Sequence, residues 1–364
     1  MAQGAGMIGR TISHYKIAGK LGEGGMGVVY KAIDVSLDRT VALKFLAPHL
    51  VEDQEGRERF IREAKAAAAL DHPNICTVYE INQEQDQTFI AMACIEGQSV
   101  KDKIAERPLK LQETLDIAIQ TAQGLQVAHE KDIVHRDIKG ANLMVTPQGQ
   151  VKIMDFGLAQ FAEQSRLIKT ATMLGTPAYM SPEQAQRLPT DRRTDIWSLG
   201  VVIYEMVTGR LPFEGEREAA VAYSIVHEEP EPMTAQRVDV PVELDRIVGK
   251  AMAKSPDERY QHVDELLVDV KALKRGFATS HSADSKEDSR TKAPIAWIAV
   301  AAALTVLAAA VWRLGDSGGS TSGPDQFQLK QITRDSGLTY EPALSPDGSL
   351  VVYASDRAGG NLDL

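Results

Sequence analysis

Ile133-Val134-His135-Arg136-Asp137-Ile138-Lys139-Gly140-Ala141-Asn142, and after it Val151-Lys152-Ile153-Met154-Asp155-Phe156-Gly157, decide how this chain is read. The two runs spell H-R-D-x-x-x-x-N and D-F-G in that order. Asp137, Asn142 and Asp155 bring carboxylate and amide oxygens, the hard donors that suit Mg²⁺, and Lys139 adds a cation beside them. Agreement of this length in both order and spacing does not arise by chance.

Upstream, Val41-Ala42-Leu43-Lys44 lies in strand-like text. A lysine aimed inward from a strand needs a counter-ion, because an isolated buried ammonium is very costly. Glu63, midway along an Ala-rich helix predicted from about Gln54 to Leu70, is the expected partner. The other reading of Glu63 is a solvated helix face, with Glu58, Arg59, Arg62 and Lys65 around it. Further upstream, Leu21-Gly22-Glu23-Gly24-Gly25-Met26-Gly27-Val28-Val29 holds G-x-G-x-x-G-x-V between two predicted strands. Glycines there let backbone N–H groups approach a phosphate without interference from Cβ. Alone this is a weak signal, equally open to an ordinary hairpin or a dinucleotide site, although the latter opens a helix rather than a second strand.

Together these motifs resemble the eukaryotic-like (Hanks-type) protein kinases, and most of all the bacterial membrane-anchored serine/threonine group. The resemblance covers residues 15–275 and implies an α+β, bilobal fold with a small β-rich N-lobe and a large α-helical C-lobe. It implies ATP and Mg²⁺ as cofactors, with Mn²⁺ as an alternative ion, and transfer of the γ-phosphate to Ser/Thr hydroxyls of proteins. In that reading Asp137 accepts the hydroxyl proton, and Lys139 neutralises charge on the transferring phosphate. Asn142 and Asp155 hold the metal, and Lys44 with Glu63 holds the α- and β-phosphates. Leu21 to Val29, Ala42, Lys44, Met92, Ala93 and Ile95 enclose the nucleotide. Met92 is followed by Ala93 and Cys94 where bacterial relatives usually place an acidic residue; backbone groups hold adenine there, so the change is tolerable. Lys139 and Gly175-Thr176-Pro177-Ala178-Tyr179-Met180-Ser181-Pro182-Glu183-Gln184 resemble the serine/threonine branch, with Ser181 departing from A-P-E. By resemblance Glu183 pairs with Arg259, and Asp195 braces the catalytic loop. Arg136 commonly meets a phosphate on the activation segment in this family, which makes Thr170 and Thr172 the phosphorylation candidates, with Thr176 shaping the substrate pocket.

Composition fits this picture. The 364 residues suit one large domain and something smaller; 43% hydrophobic and 25% charged residues are ordinary for a globular chain. A net charge of −10 argues against nucleic acid as a partner. Cys76 and Cys94 stand apart, with no disulfide or zinc pattern, and read as apolar residues in a reducing compartment. Short strands are predicted at Lys16–Lys20, Gly27–Asp34, Thr40–Leu46 and Phe89–Ala93. Apolar helix faces follow in Leu115–Lys131, Thr194–Thr208, Glu218–His227, Val242–Ala253 and Val263–Lys274.

Flanking segments carry further expectations. Residues 1–14 are a Gly-rich tail with no secretory signal, which keeps the front of the chain cytosolic. Residues 276–292 read as a polar juxtamembrane linker, and 293–312 are uncharged and long enough to span a bilayer. Because of its alanine content, a buried soluble helix is the other reading of 293–312. Trp297 and Trp312 sit near its ends; Lys286, Arg290 and Lys292 before it, against Arg313 after it, place its N-terminal side in the cytoplasm. The expected location is the inner (cytoplasmic) membrane, with a homodimer through this segment left open. After a spacer (313–337), residues 338–364 read as two strands joined by Ser345-Pro346-Asp347-Gly348, similar to a TolB-type β-propeller repeat. One such blade cannot bury its faces, so the chain is either a truncated form of a longer protein or ends in a poorly ordered tail. The leading expectation is a receptor-like kinase. Its rivals are a nucleotide-binding scaffold without transfer, and a working propeller that the kinase regulates.

Overall fold

The computed structural model describes residues 6–24, 27–46, 61–62, 64–84, 87–156, 177–287, 339–344 and 351–355, with backbone alone from 278 onward. The expected sites Gly25, Met26, Glu63, Thr170, Thr172 and Thr176, and the expected span 293–312, lie outside the described residues. Two compact units divide the chain at Met1–Arg290 and Thr291–Leu364.

In the first unit, β1 (Thr11–Ile12), β2 (Tyr15–Gly24), β3 (Gly27–Asp34), β4 (Arg39–Leu46), β5 (Val78–Glu84) and β6 (Gln87–Ala93) form one antiparallel sheet in the order β1-β2-β3-β4-β6-β5. Alternation along the strands sorts two apolar layers. Val41, Leu43 and Phe45 of β4 are buried on one face of the sheet with Tyr15, Tyr30 and Phe89. Ala42 and Leu46 face the other way, with Ile90, Met92 and Ala64. Lys44 shares that inner face, which is why it is only 5% exposed. The helical residues 64–68 sit between the lobes: Ala64 packs under the sheet, while Ala67 belongs to the core of the lobe that follows.

That second lobe is helical, as expected. It comprises α1 (Val100–Glu106), α2 (Leu111–Glu130), α3 (Pro182–Ala185), α4 (Arg193–Thr208), α5 (Glu218–His227), α6 (Met233–Gln236), α7 (Val242–Ala251) and α8 (Val263–Glu287). Thirteen of the fourteen residues from Thr194 to Val207 in α4 are buried, Glu205 being the exception, so it is the central post against which α2 and α7 pack. A small sheet, β7 (Gln98–Ser99), β8 (Leu143–Val145) and β9 (Val151–Ile153), packs on α1 and α2. Asn142 directly precedes β8 and Asp155 closely follows β9, so this hairpin brings the two quoted motifs together.

Two boundaries differ from the sequence reading. β5 carries partly exposed polar residues and lacks a clean apolar run, and it forms by pairing with β6. α8 continues to Glu287, into the polar stretch expected to be linker. Once a helix is nucleated each further residue adds a bond at low cost, so a polar stretch can extend one that is anchored by its apolar start.

In the second unit, β10 (Thr339–Leu344) and β11 (Val351–Ser355) pair antiparallel, with Leu344 opposite Val351 and a register shift between Tyr340 and Ala343. These are the two strands of the expected hairpin; its turn lies outside the described residues. Among the described residues no helix is long and apolar enough to cross a membrane.

Candidate active site

Asp137 stands between two partners supplied by its own loop. Lys139 Nζ donates to Asp137 Oδ2 at 2.7 Å, and Asn142 Nδ2 donates to the same oxygen at 3.0 Å and to the Asp137 carbonyl at 2.8 Å. A 3₁₀ turn, Gly140–Asn142, folds the loop back so that these contacts close over a few residues. With its nitrogen committed to Asp137, the Asn142 amide leaves its oxygen for another partner.

Opposite, Lys44 Nζ lies 2.9 Å from Asp155 Oδ1. The pair joins the inner face of the sheet lobe to the end of β9. Burial disfavours the Asp155 carboxylate, but the Lys44 ammonium overcomes this and holds its carboxyl below the ordinary range. Glu63 lies outside the described residues, so within them Asp155 is the counter-ion of Lys44. An ammonium 2.9 Å from Asp155 marks the position as one where a cation is favoured. Asn142 and Asp155 as an oxygen donor pair fit Mg²⁺, which is held by one or two protein groups together with water and phosphate oxygens.

Two residues here have left-handed backbones without being glycine: Arg136 (φ 64°) and Asp155 (φ 59°). Each costs roughly 1–2 kcal/mol and needs external support. Asp195 supplies it for the loop. Its fully buried carboxylate accepts from the His135 N–H at 2.8 Å and the Arg136 N–H at 2.7 Å. His129 Nε2 lies 2.8 Å from the same carboxylate. Burial opposes this charge, and the contacts with His129 and His135 outweigh it, lowering the Asp195 carboxyl below its usual range. His135, also buried, accepts from the Asp137 N–H through Nδ1 at 3.2 Å, so Nε2 carries the proton donated to the Met154 carbonyl at 2.8 Å. Its ring meets Phe156 edge-on at 4.7 Å between centroids. The loop and the D-F-G element are thereby tied to each other through His135.

The part of the sheet lobe expected to enclose the nucleotide is assembled by register. Val29 pairs with Lys44, and Ala42 pairs with Met92. Val29, Ala93, Cys94 and Ile95 pack on the cluster that contains Ala42 and Met92. Gly22 is opposite Val29, Glu23 opposite Val28 and Gly24 opposite Gly27, so the described glycines of the run lie on paired strands of a hairpin. Gly27 has φ 142°, a conformation that a side chain would strain. Leu21 is 54% exposed and stands at the rim. Burial pushes the Cys76 thiol up to about 12 and raises that of Cys94, in keeping with the unreactive reading of both.

Below the cleft, Arg259 Nη1 and Nη2 donate to Glu183 Oε1 and Oε2, each at 2.8 Å. Both residues are buried, and the expected pair is present in its bidentate form. Gln184, which the sequence reading quoted without a role, donates from Nε2 to the Arg136 carbonyl at 2.9 Å, linking α3 to the catalytic loop. Ser181 is the N-cap of α3 in a capping box with Gln184, and its hydroxyl lies 2.5 Å from that of Thr194. The departure from A-P-E at this position therefore has a local cause. His129 gave no signal in sequence, since a lone histidine on an amphipathic helix looks like any other helix residue.

The protein kinase domain pattern matches residues 15–269. Over 290 residues the chain is 37% identical to a probable serine/threonine-protein kinase of Clostridium acetobutylicum, covering 79% of this chain and 44% of that protein. It is 40% identical over 269 residues to the serine/threonine-protein kinase PrkC of Bacillus subtilis, covering 73% of this chain and 41% of that one. The chain spans less than half the length of these relatives. The crystal structure of the PknI kinase domain of Mycobacterium tuberculosis superposes with a TM-score of 0.59 at 27% identity, covering 72% of this chain and 98% of that one. The fold, the paired motifs and these relationships agree: this chain belongs to the protein kinase domain family.

Proposed function

We propose that the chain is an ATP- and Mg²⁺-dependent serine/threonine protein kinase. The observation that carries this is the closed arrangement of Asp137, Lys139 and Asn142 facing the Lys44–Asp155 pair. Phosphoryl transfer needs positioning and charge neutralisation more than covalent chemistry, and these five groups are arranged for both. Asp137 orients the acceptor hydroxyl and takes its proton as the oxygen–phosphorus bond forms and the bond to the β-phosphate oxygen breaks. Lys139, 2.7 Å from Asp137, neutralises charge on the group in transit. In this reading Lys44 holds the α- and β-phosphates, with Glu63 as its expected further partner. Asn142 and Asp155 would hold Mg²⁺, which would supply positive charge to the phosphate oxygens. Serine or threonine as acceptor is supported by Lys139 and by the names of the relatives.

Self-phosphorylation on Thr170 or Thr172 is part of this reading. Arg136 Nε is buried with no hydrogen-bond partner among the described residues, which suits a guanidinium that receives a phosphate. The full chain incubated with ATP and Mg²⁺, beside Asp137→Asn, is expected to gain phosphate on Thr170 or Thr172 in the parent only, read by mass spectrometry. Nucleotide binding without incorporation would instead support a scaffold that binds ATP and transfers nothing.

The uncharged run 293–312, flanked by Lys286, Arg290 and Lys292, supports a single-pass anchor in the inner membrane with the kinase in the cytoplasm. The paired strands β10 and β11 support the start of a propeller-like sensing domain beyond it. Membrane fractionation, with protease access to 338–364 from the outer side only, tests this; a chain recovered entirely from the soluble fraction would sink it. Dimerisation through that anchor is read by crosslinking in the same membranes.

A further inference from the structure

Lys254 lies between α7 and the 3₁₀ turn Pro256–Glu258, away from the cleft. Its ammonium donates to the Ile225 carbonyl at 2.8 Å and stands 4.0 Å from the Phe213 ring centroid and 5.2 Å from that of Trp197. Those two rings are stacked, 5.7 Å apart and 9° from parallel. Ile225 belongs to the last turn of α5, whose carbonyls have no partner within the helix. A cation at that end satisfies one of them and meets the negative end of the helix dipole. No carboxylate among the described residues lies within ion-pair distance of Lys254 Nζ; the charged groups around it are Glu228 and Glu229 at the end of α5 and Arg259. Burial pushes its amine down to about 8, against the influence of Glu229 and Glu228. A cation held in this way adds little to folding through charge pairing, so its contacts need another account.

They connect two bodies. On one side Lys254 holds α5, which packs on Pro177–Tyr179 and on α3. On the other, the Lys254 carbonyl accepts from Arg259 Nη2 at 3.0 Å, and Arg259 grips Glu183 of α3. From α3, Gln184 reaches the Arg136 carbonyl next to Asp137. Pro177–Tyr179 and α3 thus form a wall beside the catalytic loop, and Lys254 adds a brace behind it, through α5, to the Glu183–Arg259 pair.

We propose that Lys254 is a positioning residue for the polypeptide acceptor, capping α5 and fixing the wall along which the acceptor chain approaches Asp137. The inference rests on the phosphoryl-transfer reading above. The test uses the full chain, phosphorylated beforehand with unlabelled ATP, as enzyme, and the full-length Asp137→Asn chain as acceptor. Lys254→Met keeps the aliphatic stem against the rings and removes the donor and charge. It is expected to raise the acceptor KM about tenfold with kcat within about twofold, to leave the KM for ATP unchanged, and to keep the melting midpoint within about 3 °C. Lys254→Arg, which retains a cation and a donor, is expected to restore most of the acceptor KM. An unchanged acceptor KM in Lys254→Met, with the parent active, overturns the proposal. So does a Met variant that fails to fold or loses kcat and both KM values together, since that marks a purely structural lysine. A parent that transfers no phosphate overturns the phosphoryl-transfer reading and the inference with it.

Discussion

Asp195 touches neither ATP nor acceptor in any reading of the site, yet the catalytic loop depends on it. Its carboxylate takes two backbone N–H groups and a histidine, and it supports Arg136 at a positive φ. Asp195→Ala leaves those donors buried without an acceptor and is expected to destabilise the kinase unit by about 3 kcal/mol, measured by denaturant unfolding, with loss of transfer. The titration has a definite sign. The Asp195 carboxyl is lower in the folded chain than in the unfolded one. Its stabilisation is therefore complete above the unfolded value of about 4 and is lost as pH falls through the folded value. Asp195→Asn should accordingly flatten the decline of stability on the acid side of about pH 4, seen in unfolding curves recorded from pH 6 downward. Ser181 is a smaller case: Ser181→Ala would match A-P-E but remove a buried cap, at an expected cost of about 1 kcal/mol. Of the catalytic group, Asp137, Lys139 and Asn142 were legible in sequence because their contacts are made within a few residues. His129 and Gln184 acquire roles only through partners far along the chain.

At the scale of elements, α3 is four residues long and cannot hold itself in place. It is fixed by the Glu183–Arg259 pair from below and by Gln184 from above. Arg259→Met leaves the Glu183 carboxylate buried and unpaired, for an expected loss of about 3–5 kcal/mol, whereas Arg259→Met combined with Glu183→Gln should cost less than the sum of the two single changes. Urea unfolding of the four proteins gives that coupling directly; additive losses would mean that the pair does not anchor α3. The strands were mostly legible, since β3 and β4 alternate cleanly, with one face to each apolar layer. β5 was not legible, because an edge strand with polar side chains takes its conformation from its neighbour β6. The far end of α8 was hidden for a related reason: composition reports what a segment can bury, and an anchored helix can extend without burying anything.

Over the kinase unit, the two lobes meet at Lys44 and Asp155, one from the sheet and one from the end of β9. Lys44→Met removes the charge that holds the Asp155 carboxyl low. It is expected to abolish transfer while the chain stays folded, read as phosphate incorporation beside a circular dichroism melt. Survival of full transfer would contradict the assignment of Lys44. By itself the sequence determined the family, the order of the lobes and the candidate catalytic groups, because these reside in short runs whose spacing is set by the local chain. Tertiary structure alone decided which of those groups face one another, which buried charges are matched and which carbonyl Lys254 caps. Such pairings join residues distant in the chain, and their energies depend on burial and on distances of a few ångströms, which no local pattern of residues encodes.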